Sequence, residues 1–211
     1  MYNYTDIREI HLEITSKCQA KCPMCARRPY GGKLNPNITL NEITLEQFKT
    51  WLPIDFIKQL NRLYMCGNLG DPIIAKDTLE IFQYLRHVNP NIILSMNTNG
   101  SARNSDWWIE LAKLNVRVIF GLDGLEDTHK IYRIDTDFNK IIDNAKIFIK
   151  SGGNKDDLHS DTGLGKVYMC KNKTAGNPAV VKFDIKDKIF DIKYIASLPS
   201  SLKYIDLSYN E

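Results

Sequence analysis

Apolar and polar positions alternate over residues 7–15. Ile10, Leu12 and Ile14 fall on one side, and Glu9, His11 and Glu13 on the other. Period two over that length predicts a strand. Apolar runs at residues 60–65, 92–97 and 116–120 predict three more, each ending in a turn signal. Helical spacing fills the gaps. Thr44 and Gln47 form a capping box with an Ile43–Phe48 staple, and Leu45, Phe48 and Leu52 make a stripe that Pro53 stops. Asp77 opens a helix with Leu79, Phe82 and Leu85 inward, ended by Pro90. Ser105 opens one carrying Trp108, Leu111 and Ala112, and both Trp107 and Trp108 read as packing residues. The last runs from Asp137 with Ile141, Ile142, Ala145, Phe148 and Ile149 inward, and Gly152-Gly153 ends it. Four strand–helix units in a row predict an α/β fold with a parallel sheet.

The pattern loosens after residue 151. Loop-forming residues dominate, with a fifth strand expected at 167–170 and a sixth at 180–185. Residues 195–210 look like one leucine-rich repeat, which cannot bury its own face. The organisation expected is a core over 1–152 and a divergent segment over 153–211, holding the last strands or a fused or truncated tail.

A chain of 211 residues can bury a sizeable core. A net charge of +3 gives no argument for a nucleic-acid partner. No apolar run nears the ~18 residues of a membrane span. The start, Met1-Tyr2-Asn3-Tyr4, has no basic and apolar leader pattern. Five cysteines, three of them clustered, fit a reducing compartment, so a cytoplasmic location is expected.

Those three are the chemistry. Cys18-Gln-Ala-Lys-Cys22-Pro-Met-Cys25 leaves the carboxyl end of the first strand, where α/β folds put their sites. Thiolates suit zinc, copper(I) or iron–sulfur clusters. A [4Fe–4S] cube takes four cysteines, so three would leave one iron open to another ligand. Zinc is the rival, with Cys66 or His11 as fourth ligand; inert buried or disulfide-bonded thiols are the bland reading. Arg27 and Arg28 could neutralise an anionic cluster or hold a carboxylate or phosphate, or sit on a solvated loop. Cys66-Gly67-Asn68-Leu69-Gly70-Asp71-Pro72 is a tight turn after the second strand, and Asn97 and Asn99 end the third. Asn99-Gly100 also reads as a plain turn. His129 is an acid–base candidate or a packing residue.

The spacing C-x3-C-x2-C, with apolar Met24 before the last cysteine, resembles the signature of the radical SAM superfamily. Leu69-Gly70-Asp71-Pro72 resembles its GGEP element, with aspartate for glutamate and leucine for the first glycine. Thr98-Asn99-Gly100 resembles its TNG. Gly121-Leu122-Asp123-Gly124 resembles its S-[IL]-D-G, with Gly121 where serine is common. His129-Lys130-Ile131-Tyr132-Arg133 matches the H-x-x-Y-R of peptide-modifying relatives. The resemblance implies an open, partial parallel β/α barrel, usually of six units, with an irregular or truncated C-terminal part. It implies a [4Fe–4S] cluster on Cys18, Cys22 and Cys25. It implies S-adenosylmethionine held by Met24, Gly70, Asp71, Asn97, Asn99, Asp123 and Arg133, with Arg133 on its carboxylate. An external electron donor of flavodoxin or ferredoxin type would deliver one electron. The 5′-deoxyadenosyl radical then formed would take hydrogen from a peptide, protein or small-molecule substrate. The cysteine-rich SPASM extension of many such relatives is absent, and Cys66 and Cys170 alone cannot hold a second cube. Two rivals remain at this point: a non-catalytic module binding zinc or a cluster, and a truncated remnant.

Overall fold

The computed structural model describes residues 3–153 and, beyond them, strands at 168–171 and 179–181. Four strands, β1 (Glu9–Leu12), β2 (Arg62–Cys66), β3 (Ile93–Thr98) and β4 (Val116–Leu122), lie side by side in chain order, every pair parallel. β5 (Tyr168–Lys171) adds parallel to β4, and β6 (Ala179–Val181) adds antiparallel to β5. The parallel α/β sheet read from the alternation is therefore present. Residues 154–167 and 182–211, including the leucine-rich stretch and most of the expected sixth strand, lie outside the described residues.

The helices are α1 (Leu45–Trp51), α2 (Ile54–Gln59), α3 (Thr78–Val88), α4 (Ser105–Lys113), α5 (Glu126–Tyr132) and α6 (Phe138–Lys150). The capping box at α1 forms: Gln47 N–H donates to Thr44 Oγ1 at 3.2 Å and Thr44 N–H to Gln47 Oε1 at 3.0 Å. Pro53 ends α1 as expected, but it also starts α2, because proline suits the first turn of a helix. α4 is capped by Asn104, whose Oδ1 accepts from Trp107 N–H at 3.1 Å; Ser105 is already helical. Asp77 precedes α3 without capping it, its carboxylate instead accepting from Leu45 N–H at 2.9 Å. The stretch around His129, for which no element was predicted, is helix α5.

The core lies on one face of the sheet. Leu63, Met65, Leu94, Met96, Val118 and Phe120 from the strands pack with Phe48, Ile57, Phe82, Leu85, Leu111, Ile141 and Phe148 from the helices. Trp108 is fully buried against Phe120 and Phe148, at ring separations of 5.3 and 6.2 Å, which fits the packing role. Alternate strand residues fall on the opposite face. There His11 stacks on Tyr64 at 4.7 Å across register-paired positions. No described helix is long and apolar enough to cross a membrane.

Candidate active site

β1 is shorter than its alternation, and that shortening creates the cysteine loop. Past Leu12 the chain leaves β2: Ile14 C=O accepts from Ile43 N–H at 2.8 Å, and Thr15 bridges antiparallel to Glu42. The segment released over the end of the sheet carries the thiols. It is anchored at its far side by Lys21, whose N–H donates to Ile134 C=O at 2.9 Å and whose ammonium meets Asp135 at 2.7 Å. Cys25 N–H donates to Cys22 C=O at 3.0 Å, closing a turn. All three cysteines are free thiols and line one cavity of ≈ 300 Å³. That is the lower end of small-molecule site sizes.

The turn after β2 meets them from beneath. A Cβ on Gly67 would lie 1.7 Å from Gly70 C=O, and one on Gly70 would lie 1.9 Å from Thr15 C=O. Only glycine permits this approach. Asp71 N–H then donates to Lys17 C=O at 2.9 Å. The Asp71 carboxylate turns inward. It accepts from Thr98 Oγ1 at 2.7 Å, from Asn99 N–H at 2.7 Å and from Asn99 Nδ2 at 2.6 Å. Burial pushes its pKa up, against those hydrogen bonds. Asp71 thus joins the β2 turn to the β3 end. Asn99 in turn accepts from Gln19 Nε2 at 2.8 Å and sets its Nδ2 3.7 Å from Cys18 Sγ. Asn97 Nδ2 lies 3.3 Å from Cys66 Sγ.

The β4 end supplies a carboxylate and the end of α5 the cation. Arg133 Nε donates to the Asp123 carboxylate, and its Nη1 lies 3.8 Å from Cys22 Sγ. Burial works against the Arg133 charge, but Asp123 and Cys22 outweigh it and raise the pKa, so the guanidinium stays cationic. Gly121 makes the room: a Cβ there would stand 2.8 Å from Arg133 Nη2. The departure from the family's serine therefore accommodates the guanidinium. Burial also raises the Cys22 thiol, with Arg133 pulling it back down, and drives Cys18 up to about 11, reinforced by Asp71. These thiols are protonated at neutral pH, so a metal that binds them must displace protons.

His129 is 0% exposed and both ring nitrogens are engaged. Nδ1 accepts from Asp123 N–H at 3.3 Å, and Nε2–H donates at 3.0 Å to Thr136 Oγ1, whose own proton goes to Arg133 C=O. Its ring thus links the Asp123 backbone to Thr136 and, through it, to the Arg133 carbonyl. Burial, then the Arg133 charge, pushes its pKa down to about 4. An unfolded chain would protonate near ~6.5. Between those values the unfolded state binds a proton that the folded state refuses, so stability present above ~6.5 is lost as pH falls towards 4. Melting temperature should therefore fall from pH 7 to pH 5, less steeply in His129→Gln than in wild type. Equal slopes would refute the assignment.

The cavity thus gathers Cys18, Cys22, Cys25, Gly70, Asp71, Asn97, Asn99, Asp123 and Arg133. Met24 is not brought in; its side chain is 81% exposed and lines no part of this cavity. Thr98 and Tyr132 line the cavity too and were not singled out. Tyr132 stood inside the H-x-x-Y-R stretch, next to Arg133, which was its only signal.

The donor set also separates the metal readings. Among the described residues no three His, Cys, Asp or Glu converge tightly enough for one ion. A zinc site needs every thiolate ~2.3 Å from a single centre. A cube offers each thiolate its own iron, so wider spacing suits it. His11 lies outside the cavity, donating to Cys66 C=O at 2.8 Å; Cys66 does line it.

Comparison with known proteins bears on the family and the fold. The radical SAM superfamily model matches residues 12–165. A cysteine-type anaerobic sulfatase-maturating enzyme of Clostridium novyi (strain NT) is 40% identical over 63 residues, 28% of this chain and 17% of that enzyme. Among solved structures, native anSMEcpe with bound AdoMet superposes with a TM-score of 0.55 at 20% identity, over 74% of this chain and 47% of that one. Methylornithine synthase (PylB) superposes with a TM-score of 0.51 at 14% identity, over 71% and 44%. The chain thus spans under half the length of these relatives. It belongs to the radical SAM superfamily, a family of enzymes that use a [4Fe–4S] cluster and S-adenosylmethionine.

Proposed function

We propose that this chain is the catalytic core of an enzyme that cleaves S-adenosylmethionine reductively and takes a hydrogen atom from a peptide or protein side chain. The observation that carries it is the meeting, in one cavity, of three free thiols with the glycine turn, Asn99 and the Asp123–Arg133 pair. A [4Fe–4S] cluster held there would supply the electron for reductive cleavage of S-adenosylmethionine. Cys18, Cys22 and Cys25 would ligate three of its irons. Gly67–Asp71 offers backbone where a side chain would collide, suited to a ligand amino group. Arg133, fixed by Asp123, offers a guanidinium for a carboxylate. The peptide class is supported by 40% identity, over 63 residues, with a sulfatase-maturating enzyme. A related solved complex, native anSMEcpe with bound AdoMet and Cp18Cys peptide, contains a peptide. A one-electron donor of flavodoxin or ferredoxin type would reduce the cluster.

The test is anaerobic loading of the chain with iron and sulfide, followed by metal analysis. About four irons and four sulfides per chain are expected, with 5′-deoxyadenosine formed once S-adenosylmethionine and a chemical reductant are added. One zinc without iron or sulfide would reject the reading in favour of a structural metal module.

A further inference from the structure

Arg27 follows the third cysteine by two residues and could have lain on a solvated loop. Instead it is 4% exposed, on the wall of the cysteine cavity. Its position is fixed. Nε donates to Ser16 C=O at 2.9 Å, and its own C=O accepts from Asn35 N–H at 2.9 Å. Nη1 is fully buried and has no hydrogen-bond partner. A guanidinium cannot shed its proton, and a buried cation without a counter-charge is costly. Among the described residues no carboxylate pairs with it, and Asp71 and Asp123 on the same cavity are already engaged with Thr98, Asn99 and Arg133. The groups on this cavity that would become anions on loading a cluster are Cys18, Cys22 and Cys25.

We propose that Arg27 is the buried counter-charge of the cluster and sets its reduction potential. The proposal rests on the cluster reading above. A three-thiolate cube carries net negative charge, and reduction adds one more. A fixed cation beside the cluster favours the more negative, reduced state, and cluster potentials respond to local charge. Arg133 reaches Cys22 from the other side of the cavity but is already half-neutralised by Asp123. Arg27 has no such partner, so its field acts on the cluster undivided. It is a positioning residue, not a catalytic one.

The experiment is a redox titration of the loaded protein, followed by the electron paramagnetic resonance of the reduced cluster, without S-adenosylmethionine. Arg27→Gln should bind wild-type amounts of iron and sulfide while its midpoint moves negative. The reduced-to-oxidised ratio at fixed potential should drop about tenfold, ~59 mV for a one-electron couple. Arg27→Lys keeps the charge and should recover most of the shift. Arg28→Gln removes an equal charge one residue along, outside the cavity, and should titrate as wild type. An unshifted Arg27→Gln, or an equal shift in Arg28→Gln, overturns the proposal. So does an unshifted potential with weakened S-adenosylmethionine binding, which would give Arg27 to the cofactor's carboxylate. If Arg27→Gln fails to load, Arg27→Lys decides: a midpoint far below wild type in that charge-keeping variant also overturns it. A wild-type protein that takes up no iron rejects the cluster reading itself, a distinct result.

Discussion

Cys22→Ala is expected to abolish cluster loading and 5′-deoxyadenosine formation together while leaving the chain folded. Cys22 is buried beside Arg133, at the centre of the trio. Losing a residue that merely supports a ligand costs ~10–100-fold in metal affinity or activity, and losing the ligand itself should exceed that. Two thiolates hold two irons of four, too few to retain a cube. The fold does not depend on this sulfur. Alanine removes one small, partly polarised atom, and Arg133 keeps its Asp123 partner. A stability change of about 1 kcal/mol fits such a truncation. Iron, sulfide, product and a thermal melt are measured on the same sample. Cys66→Ala is the informative companion. Cys66 lines the cavity, and as a zinc ligand it would be indispensable. Metal retained in Cys66→Ala and lost in Cys22→Ala is the cluster pattern. Product from Cys22→Ala at the wild-type level would end the assignment.

Much of the site was legible because its members stand at strand ends, and strand ends are written locally. Asn97 and Asn99 follow an apolar run; Gly70 sits in a glycine turn after another; Asp123 closes a third. What each side chain does there depends on residues far away. Asp71 reads as a ligand contact, yet Thr98 and Asn99, 27 and 28 residues on, take its carboxylate. His129 reads as an acid or base, yet Asp123 and Thr136 occupy both nitrogens. Arg27 reads as loop, yet Ser16 and Asn35 draw it under. Met24 was placed by motif alone, and nothing in its neighbourhood pulls it inward. Polar side chains choose partners by tertiary geometry, which no local pattern records.

The fold shows the same division. Four strands and the α1, α3, α4 and α6 helices announced themselves through period two and period 3.6. α2 and α5 did not. Each is under two full turns, and unlike α1, which is as short as α5, neither opens on a Thr-x-x-Gln capping box. Pro53 was a stop for one helix and a start for the next, and a sequence cannot show both at once. Glu126 and Asp127 in the first turn of α5 favour its N-terminal dipole end and were the overlooked sign. The bounds of β2, β3 and β4 differ from the predicted runs by up to two residues, because continuous apolar runs do not mark where pairing begins.

Gly70→Ala should then be among the most damaging changes outside the cysteines, and it acts on fold and site at once. A methyl group there would meet Thr15 C=O at 1.9 Å and Lys17 C=O at 3.1 Å. Both obstacles are backbone, so no rotamer change relieves them. Either the β2 turn or the start of the cysteine loop has to move. The Asp71 N–H to Lys17 C=O bond at 2.9 Å links those two segments and would break as they separate. Overpacking usually costs ~1–3 kcal/mol, and rigid backbone on both sides puts this case at or above ~3 kcal/mol. For a domain of this size that lowers the melting temperature by about 10 °C. The Asp71 network would carry the displacement to Asn99 and so to Cys18, so product formation should fall even at temperatures where the variant is folded. Gly32→Ala is the control, since its new methyl would meet only Pro29 C=O, at 3.2 Å, on an exposed turn. If Gly70→Ala melts and turns over like Gly32→Ala, the close approach of turn and loop on which the cavity depends is wrong.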